Sequence, residues 1–125
     1  MAGASRSARD RIEAHLPLKP VDFHILLVLA EGDLHGYGMV KAIESTSEGR
    51  VRLEPGNLYR FIRRLVDAGL VGAAGVRAAG GGDGERRRYY RITAQGRRVL
   101  AAEASRMRSL AAAARALVGR PRERG

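Results

Sequence analysis

The clearest pattern along the chain is an apolar stripe that repeats at the spacing of an α-helix. Between Glu54 and Gly69, one face collects the apolar side chains Leu58, Ile62, Leu65 and Val66. Proline at the start and glycine after the end are typical helix boundaries, so this stretch predicts an amphipathic helix. An earlier helix, from about Pro20 to Glu31, is predicted by the apolar residues Phe23, Leu26, Leu27 and Ala30.

Two weaker stripes predict shorter helices. Met39, Val40 and Ile43 indicate a helix from Gly36 to about Ser45, followed by a polar turn. Nearer the N-terminus, a short amphipathic piece is capped by Ser7, ends near Pro17 and carries Ile12 and Leu16.

The periodicity then changes from that of helices to that of strands. Residues 70–79 and 86–92 flank the glycine-rich stretch from Gly80 to Gly84, which predicts a β-hairpin with a flexible tip. Alternation along the second strand places Tyr90 with Ile92 on the inner face and Arg87, Tyr89 and Arg91 on the other.

One long helix is predicted to end the chain. Thr93 fits its N-cap, and the alanine-rich stretch from Ala94 to about Val118 contains no proline before Pro121. The resulting order of helix, helix, helix, hairpin and long helix is that of a winged helix-turn-helix.

The predicted fold class is therefore mainly α with a small β-hairpin, a winged helix-turn-helix plus a C-terminal dimerisation helix. We divide the chain into an N-terminal arm or short helix (1–17), a winged helix-turn-helix DNA-binding domain (18–93), a dimerisation helix (94–119) and a frayed tail (120–125).

Composition adds a strong positive charge to this fold. The 125 residues include 23 Lys and Arg against 13 Asp and Glu, a formal net charge of +10, with no cysteine and no tryptophan. Such a surface favours polyanions, and nucleic acid is the commonest polyanionic partner, although GC-rich coding also enriches arginine. The longest apolar run, Phe23 to Ala30, is too short to span a membrane. The N-terminus lacks the apolar core of a signal peptide, so we expect a cytoplasmic protein.

Arginines dominate the polar face of the third predicted helix. A step of 100° per residue puts Arg60, Arg63, Arg64 and Asp67 opposite the apolar stripe, with Asn57 and Tyr59 at the flanks. Arginine can fork onto guanine or clamp phosphate, and asparagine can pair with adenine, so this face suits the major groove of DNA. The alternative is an ordinary solvated helix face.

A second basic cluster lies at the base of the hairpin tip. Arg86, Arg87 and Arg88 follow one another there, just before the paired tyrosines. A hairpin with this charge can lie along a phosphate backbone. We assign Tyr90 to packing rather than base stacking and leave the role of Tyr89 open.

Three motifs keep the order of a known family and span roughly Pro20 to Leu100. They are Leu34-His35-Gly36-Tyr37-Gly38; Gly56-Asn57-Leu58-Tyr59-Arg60 with Arg64-Leu65 and Gly69-Leu70-Val71; and Arg88-Tyr89-Tyr90-Arg91-Ile92-Thr93 with Gly96. The first is similar to the His-Gly-Tyr signature, the second to the recognition helix and the third to the closing strand and helix cap of one family. The chain thus resembles the PadR-type winged helix-turn-helix transcriptional regulators in their short form, with a single long C-terminal helix.

The resemblance implies repression and release by a small-molecule inducer. It also implies that Tyr37 contacts phosphate. The alternative is that the Tyr37 ring packs against the protein itself. Gly38 stands where family members usually have a helix former, which weakens the second helix without abolishing it. Some short members bind flat aromatic drugs with a tryptophan between their C-terminal helices, and this chain contains none.

Enzymatic chemistry has no candidate constellation. His15, His24 and His35 lack the paired spacing of a zinc helix, and we expect them at the surface, at the edge of the core and at a helix start. No serine lies in a nucleophile elbow, and the glycine runs lack the lysine of a phosphate loop. The sequence predicts neither an enzyme nor a metal or cofactor site.

The long helix carries a seam typical of helix pairing. Its residues alternate steps of four and three and are broadened by two leucines: Leu100, Ala104, Met107, Ala111, Ala114 and Val118, with Leu110 and Leu117. Alanines bury little area each, so two such helices cover one another better than one helix covers its own domain. This predicts a homodimer, and the alternative is a helix folded back onto Phe23 and Leu27.

We therefore predict a homodimeric DNA-binding regulator, a repressor that binds a palindromic operator and responds to an inducer. One alternative is a winged-helix interaction module that docks a protein partner without specific DNA binding. Another is a basic protein associated with RNA.

Overall fold

The computed structural model describes residues 2–78 and 86–121, without the side chains of residues 2–6. Within these residues the elements follow one another as α1 Ala2–Glu13, α2 Pro20–Glu31, β1 Leu34–His35, α3 Gly36–Thr46, α4 Pro55–Asp67, β2 Val71–Ala78, β3 Arg86–Ile92 and α5 Ala94–Val118. The predicted tip from Gly80 to Gly84 lies outside the described residues, as does the end of the predicted tail, 122–125. The predicted fold class, mainly α with a hairpin and a long last helix, is confirmed.

The N-terminal helix differs from the prediction at both ends. It begins at Ala2 rather than Ser7 and ends at Glu13 rather than near Pro17. Alanine has the highest helix propensity, which favours the earlier start. The residue before a proline is disfavoured in a helix, so the chain leaves α1 ahead of Pro17 through a tight turn in which the Leu16 N–H donates to the Glu13 carbonyl.

The sheet contains a strand that the sequence pattern did not predict. The two residues of β1 pair antiparallel with β3, Leu34 opposite Tyr90 and His35 opposite Tyr89, which gives the strand order β1-β3-β2. The pairing of β2 with β3 is interrupted by a bulge between Ala73 and Val76, where Gly75 has a φ of 92°.

The core lies between the helices and the inner face of the sheet. Its fully or nearly fully buried side chains come from α2, α3, α4, β2, β3 and α5 and include Ile25, Leu26, Leu29, Met39, Ile43, Leu58, Ile62, Leu65, Val71, Ile92 and Val99. Tyr90 is only 8% exposed and belongs to this core, in agreement with the packing role expected from strand alternation.

The start of α5 is fixed against the chain that leads from α4 into β2, the first strand of the hairpin or wing formed by β2 and β3. The Thr93 hydroxyl accepts from the Gly96 N–H at 2.9 Å and donates to the Gly69 carbonyl at 2.7 Å. A Cβ atom at position 96 would lie 2.2 Å from the Leu70 carbonyl oxygen, so only glycine fits this approach. Thr93 is the N-cap that the sequence predicted, and its second bond ties the helix to the end of α4.

A buried carboxylate ties the first half of α5 to the chain before α2. Glu103 is 1% exposed and accepts from the Leu18 N–H at 2.9 Å and from Arg106 Nε at 2.5 Å. The hydrogen bond from Arg106 and, less strongly, the one from Leu18 lower the pKa of Glu103, against the opposing effect of its burial.

The second half of α5 extends away from this contact. Every residue from Met107 to Val118 is exposed, including Met107, Leu110, Leu117 and Val118. Leu27 of α2 is itself 37% exposed, so this half of the helix is not folded back onto Phe23 and Leu27.

Candidate nucleic-acid interface

Helix α4 divides sharply into a buried face and a cationic face. Leu58, Ile62 and Leu65 are at most 2% exposed and hold the helix on the core. Arg60 and Arg63 lie on the opposite face and are exposed. The helix therefore presents its arginines outward on a rigid support.

Two of the predicted reading residues on this face contact each other. Arg60 Nη2 donates to Asn57 Oδ1 at 3.0 Å, and both side chains are exposed. The bond orients both groups before any ligand is present and leaves the remaining guanidinium donors of Arg60 unused. In the part of the chain that the structure describes, Arg63 has no hydrogen-bond or ion-pair partner.

Arg64 lies apart from these two arginines. Its Nη2 donates to Asp22 Oδ1 of α2 at 2.6 Å, and its guanidinium carbon lies 5.1 Å from the centre of the Phe61 ring. The sequence pattern grouped Arg64 with Arg60 and Arg63, whereas the structure turns it towards α2.

An open cleft of about 700 Å³ separates α4 from the wing formed by β2 and β3. Its floor and walls combine apolar side chains, three arginines and one carboxylate, namely Tyr59, Arg60, Ile62, Arg63, Val66 and Asp67 from α4 and Ala73, Val76, Arg88 and Tyr90 from the wing. The bulge at Gly75 bends β2 along one wall of the cleft. Arginines from two separate elements thus face one groove.

A smaller cleft of about 300 Å³ lies beside the N-terminus of α3. It is lined by His35, Gly36, Tyr37, Tyr59, Arg86, Arg87 and Arg88. A Cβ atom on Gly36 would lie 2.8 Å from the Tyr59 hydroxyl oxygen, so this glycine allows Tyr59 to approach the helix start. The cleft combines three arginines with the positive end of the α3 dipole.

The wing arginines differ in exposure. Arg86 and Arg88 are exposed, whereas Arg87 is half-buried, with its guanidinium carbon 5.7 Å from the centre of the Tyr37 ring. Lys41 Nζ lies 5.7 Å from the same ring. Tyr37 is 52% exposed. Its ring therefore packs against the protein on one side only, and the other side is accessible to a ligand.

The role of Tyr89, which sequence alternation left open, is defined by its neighbours. The Arg77 guanidinium carbon lies 4.3 Å from the centre of its ring, and the His35 ring meets it edge-on at 5.2 Å. Arg77 also pairs with Asp33 at 2.9 Å. Tyr89 therefore joins the wing to the loop before α3.

The histidines occupy structural positions. His35 is the N-cap of α3, where its Nδ1 accepts from the Gly38 N–H at 3.1 Å, and His15 and His24 are half-buried. Among the described residues, no three His, Asp or Glu side chains cluster in a way that could hold a metal ion. None of the helices in the described ranges is long and apolar enough to cross a membrane.

Sequence reasoning missed the apolar wing wall and the partner of Arg64. Val76 is 51% exposed on the cleft wall, and no periodicity marks it within a strand of short side chains. A proline followed by an acidic residue, as at the start of α2, is typical of a helix N-terminus, yet Asp22 is 7% exposed and pairs across 42 positions. The sequence carries no signal for this pair, because local periodicity does not show which other element lies beside a residue.

This arrangement of helices, cationic α4 and two-stranded wing defines a winged helix-turn-helix protein. The chain belongs to the transcriptional regulator PadR-like family, whose model matches residues 25–102. The family is one of transcriptional regulators rather than enzymes. A comparison with curated protein sequences gives no significant match.

Solved structures of regulators share the fold. A transcriptional regulator from Clostridium thermocellum is 26% identical, with a TM-score of 0.63 over 87% of this chain and 95% of that one. A PadR family regulator from Eggerthella lenta is 25% identical, with a TM-score of 0.59 over 94% of each chain. Bacillus subtilis PadR, crystallised with operator DNA, is 16% identical with a TM-score of 0.55, over 86% of this chain and 51% of that one.

Proposed function

We propose that this protein binds duplex DNA sequence-specifically as a cytoplasmic homodimer and represses transcription by occupying a palindromic operator. The observation that carries the proposal is the α4–wing cleft, in which Arg60, Arg63 and Arg88 face one groove from two elements. A winged helix-turn-helix binds DNA with one helix in the major groove, and cations on both sides of a groove suit its phosphate walls.

In this proposal, α4 supplies the contacts to base edges and the wing supplies the contacts to phosphates. Arg60 and Asn57, already oriented by their mutual hydrogen bond, contact base edges, since arginine and asparagine both form bidentate base contacts. Arg63 and Tyr59 flank them in the groove. Arg86, Arg87 and Arg88 contact phosphates, which fix the register of the protein without reading sequence.

Tyr37 contacts phosphate at the start of α3. Its exposed ring lies between Lys41 and the small cleft that contains the wing arginines. A phosphate there would meet the positive end of a helix dipole as well as side-chain cations.

Dimerisation uses the exposed half of α5. The seam comprises Leu100, Ala104, Met107, Leu110, Ala111, Ala114 and Leu117, of which all but the half-buried Leu100 are exposed in the single chain. Large exposed apolar residues in one row favour a partner helix, and a second copy also supplies the second recognition helix that a palindromic site needs.

The family of the chain supports the regulatory part of the proposal. A structurally similar protein, Bacillus subtilis PadR, was crystallised in complex with operator DNA. Release of DNA by a small-molecule inducer is part of the proposal on the strength of the family resemblance.

Selection from a random duplex library tests the proposal. We expect an inverted repeat with half-sites about one helical turn, roughly 34 Å, apart. If the dimer neutralises roughly eight phosphates, log affinity falls against log salt with a slope of about −7. A protein-docking module would enrich no duplex, and an RNA-associated protein would prefer RNA in direct competition; either outcome contradicts the proposal.

A further inference from the structure

Helix α4 carries one arginine that is paired with a buried carboxylate of another helix, although its own side chain is 42% exposed. Arg64 lies next to Arg63 in sequence, but its guanidinium is engaged with Asp22 at 2.6 Å. We propose that Arg64 is a positioning residue that sets the rotation of the recognition helix through the buried Asp22, and does not itself read DNA. This inference rests on the proposed function.

Asp22 is buried in the first turn of α2. Its side chain is 9% exposed, and Asp22 and Glu103 are the two charged residues buried in the described part of the chain. A buried carboxylate without a partner is strongly destabilising, because neither water nor a cation compensates its charge. If Arg64 left Asp22 to bind a phosphate or a base, the buried carboxylate would remain unpaired and the folded state would be destabilised.

The Asp22–Arg64 pair links two helices that are distant in sequence. Asp22 lies in the first turn of α2 and Arg64 in the last turn of α4, so the bond joins two elements 42 residues apart. The contact of Arg64 with the Phe61 ring holds its side chain along the α2-facing side of α4. The buried side chains of α4, such as Leu58 and Leu65, are apolar, and apolar contacts are non-directional. The charged hydrogen bond therefore adds a directional restraint.

The rotation of α4 matters because reading groups tolerate little misplacement. A functional constellation is held within about 0.5 Å and 10–20° of its productive geometry. A rotation of α4 about its axis moves Asn57 and Arg60 together, because both lie on this helix and their side chains are hydrogen-bonded to each other. Loss of the Asp22 bond therefore lowers sequence preference without removing any atom that touches DNA.

The substitution Asp22→Asn separates the two possible roles of Arg64. If Arg64 positions the helix, Asp22→Asn and Arg64→Ala each lower affinity for the selected operator by about tenfold, and the double variant binds no more weakly than either single one. If Arg64 reads DNA directly, Asp22→Asn frees the guanidinium and leaves operator affinity unchanged or raises it. That second result overturns the inference.

Two further measurements distinguish positioning from general loss of stability. Arg64→Ala should leave the salt slope unchanged because it removes no phosphate contact, whereas the control Arg88→Ala, which removes a proposed phosphate contact of the wing, should make it shallower. Arg64→Lys keeps a charged donor for Asp22 and should restore most of the operator preference. Affinity is measured below the start of thermal unfolding of each variant; an equal decrease on operator and random duplex there would contradict positioning.

If the proposed function is wrong, the binding measurements differ from those expected if only the positioning role is wrong. A wild-type protein that shows no preference for any duplex contradicts the proposed function and, with it, the positioning role. A wild-type protein with a clear operator preference, combined with Asp22→Asn binding like wild type, contradicts the positioning role alone. Should Asp22→Asn fail to fold, Arg64→Lys and Arg64→Ala decide between the same outcomes through the operator-to-random ratio.

Discussion

Gly96 shows how a single backbone position holds the long helix α5 against the start of the wing. The Leu70 carbonyl oxygen approaches so closely that a Cβ atom at position 96 would lie 2.2 Å away, with the Ile92 side chain at 2.8 Å. The obstacle is backbone at the start of the wing, which cannot turn aside as a flexible side chain can. The contact therefore fixes α5 to the wing.

The substitution Gly96→Ala should reduce stability by about 1–3 kcal/mol, the usual cost of overpacking. Thermal or denaturant unfolding of the variant measures the decrease. Gly56→Ala is the matched control, because a Cβ atom there has no neighbour within 4 Å and should change stability by less than about 1 kcal/mol. Equal stability of the two variants would argue against the close approach.

Arg60 should carry base preference in the proposed complex. Arg60→Ala is expected to weaken operator binding by about 1–3 kcal/mol and to relax selection at one base, since the variant cannot form a bidentate bond to that base. Repeating the library selection with the variant measures both effects. Arg108→Ala, on the exposed part of α5 outside both clefts, is the control and should bind as wild type.

The difference between Arg60 and Arg64 marks how far a sequence can define a site. Helical periodicity predicts that both arginines lie away from the core, and both are exposed in the structure. Periodicity along one helix contains no information on which other element lies beside that face, so the pairing of Arg64 with Asp22 could not be predicted from the pattern.

At the scale of elements, the wing and α4 should differ in how their arginines act. Replacing Arg86 and Arg88 with alanine is expected to weaken binding to operator and random duplex alike, because phosphate contacts carry no sequence information. The salt slope should become shallower by about one unit for each phosphate that the variant no longer neutralises. Arg91→Ala, on the same strand but outside both clefts, should leave the slope unchanged.

An unchanged slope after replacement of Arg86 and Arg88 would remove the wing from the DNA interface. Operator preference retained by the same variant would then assign recognition to α4 alone. The two measurements together therefore test each element separately.

The contact between α5 and the chain before α2 should weaken in acid. The pKa of Glu103 in the folded protein lies below its ordinary value near 4.5, mainly because Arg106 donates to it. The stabilisation is fully present above that ordinary value and disappears as the pH falls through the lower folded value. Glu103→Gln should therefore show a weaker decline of unfolding temperature below about pH 4.5 than wild type.

The exposed glutamate Glu44 of α3 provides the control for this measurement. Glu44→Gln should reproduce the wild-type acid profile, since its side chain is not part of the α5 contact. A wild-type profile in Glu103→Gln as well would mean that the Leu18 and Arg106 bonds add no pH-dependent stability.

Elements with clear boundary residues could be predicted from the sequence, whereas the bounds of α1 and the existence of the two-residue strand β1 could not. The prolines, the threonine cap and the apolar stripes define α2, α4 and α5 to within a residue or two of the observed bounds. Strand β1 has two residues and depends on pairing with Tyr89 and Tyr90, which is a long-range contact. Local periodicity has no signal for such a strand.

At the scale of the whole molecule, the proposed dimer explains why half of α5 extends beyond its own domain. Gly96, Val99 and Glu103 are the buried residues of this helix, and each lies in its first half. From Met107 onwards the helix is exposed, yet it carries large apolar residues that a solvated helix does not need. A second copy of α5 would cover them and place two α4 helices on one face of a duplex.

Replacing Met107 and Leu110 together with aspartate should yield a monomer, because two charges would be buried against a like pair in the partner helix. Light scattering measures the mass, circular dichroism checks that the helical signal is retained, and operator binding should disappear because a single recognition helix reads only one half-site. Ser109 and Ala112 lie on the opposite side of the same exposed turns, so their double replacement with aspartate adds the same charge and should leave a dimer that binds DNA. A wild-type protein that is monomeric at micromolar concentration would contradict the dimer and the palindromic operator together.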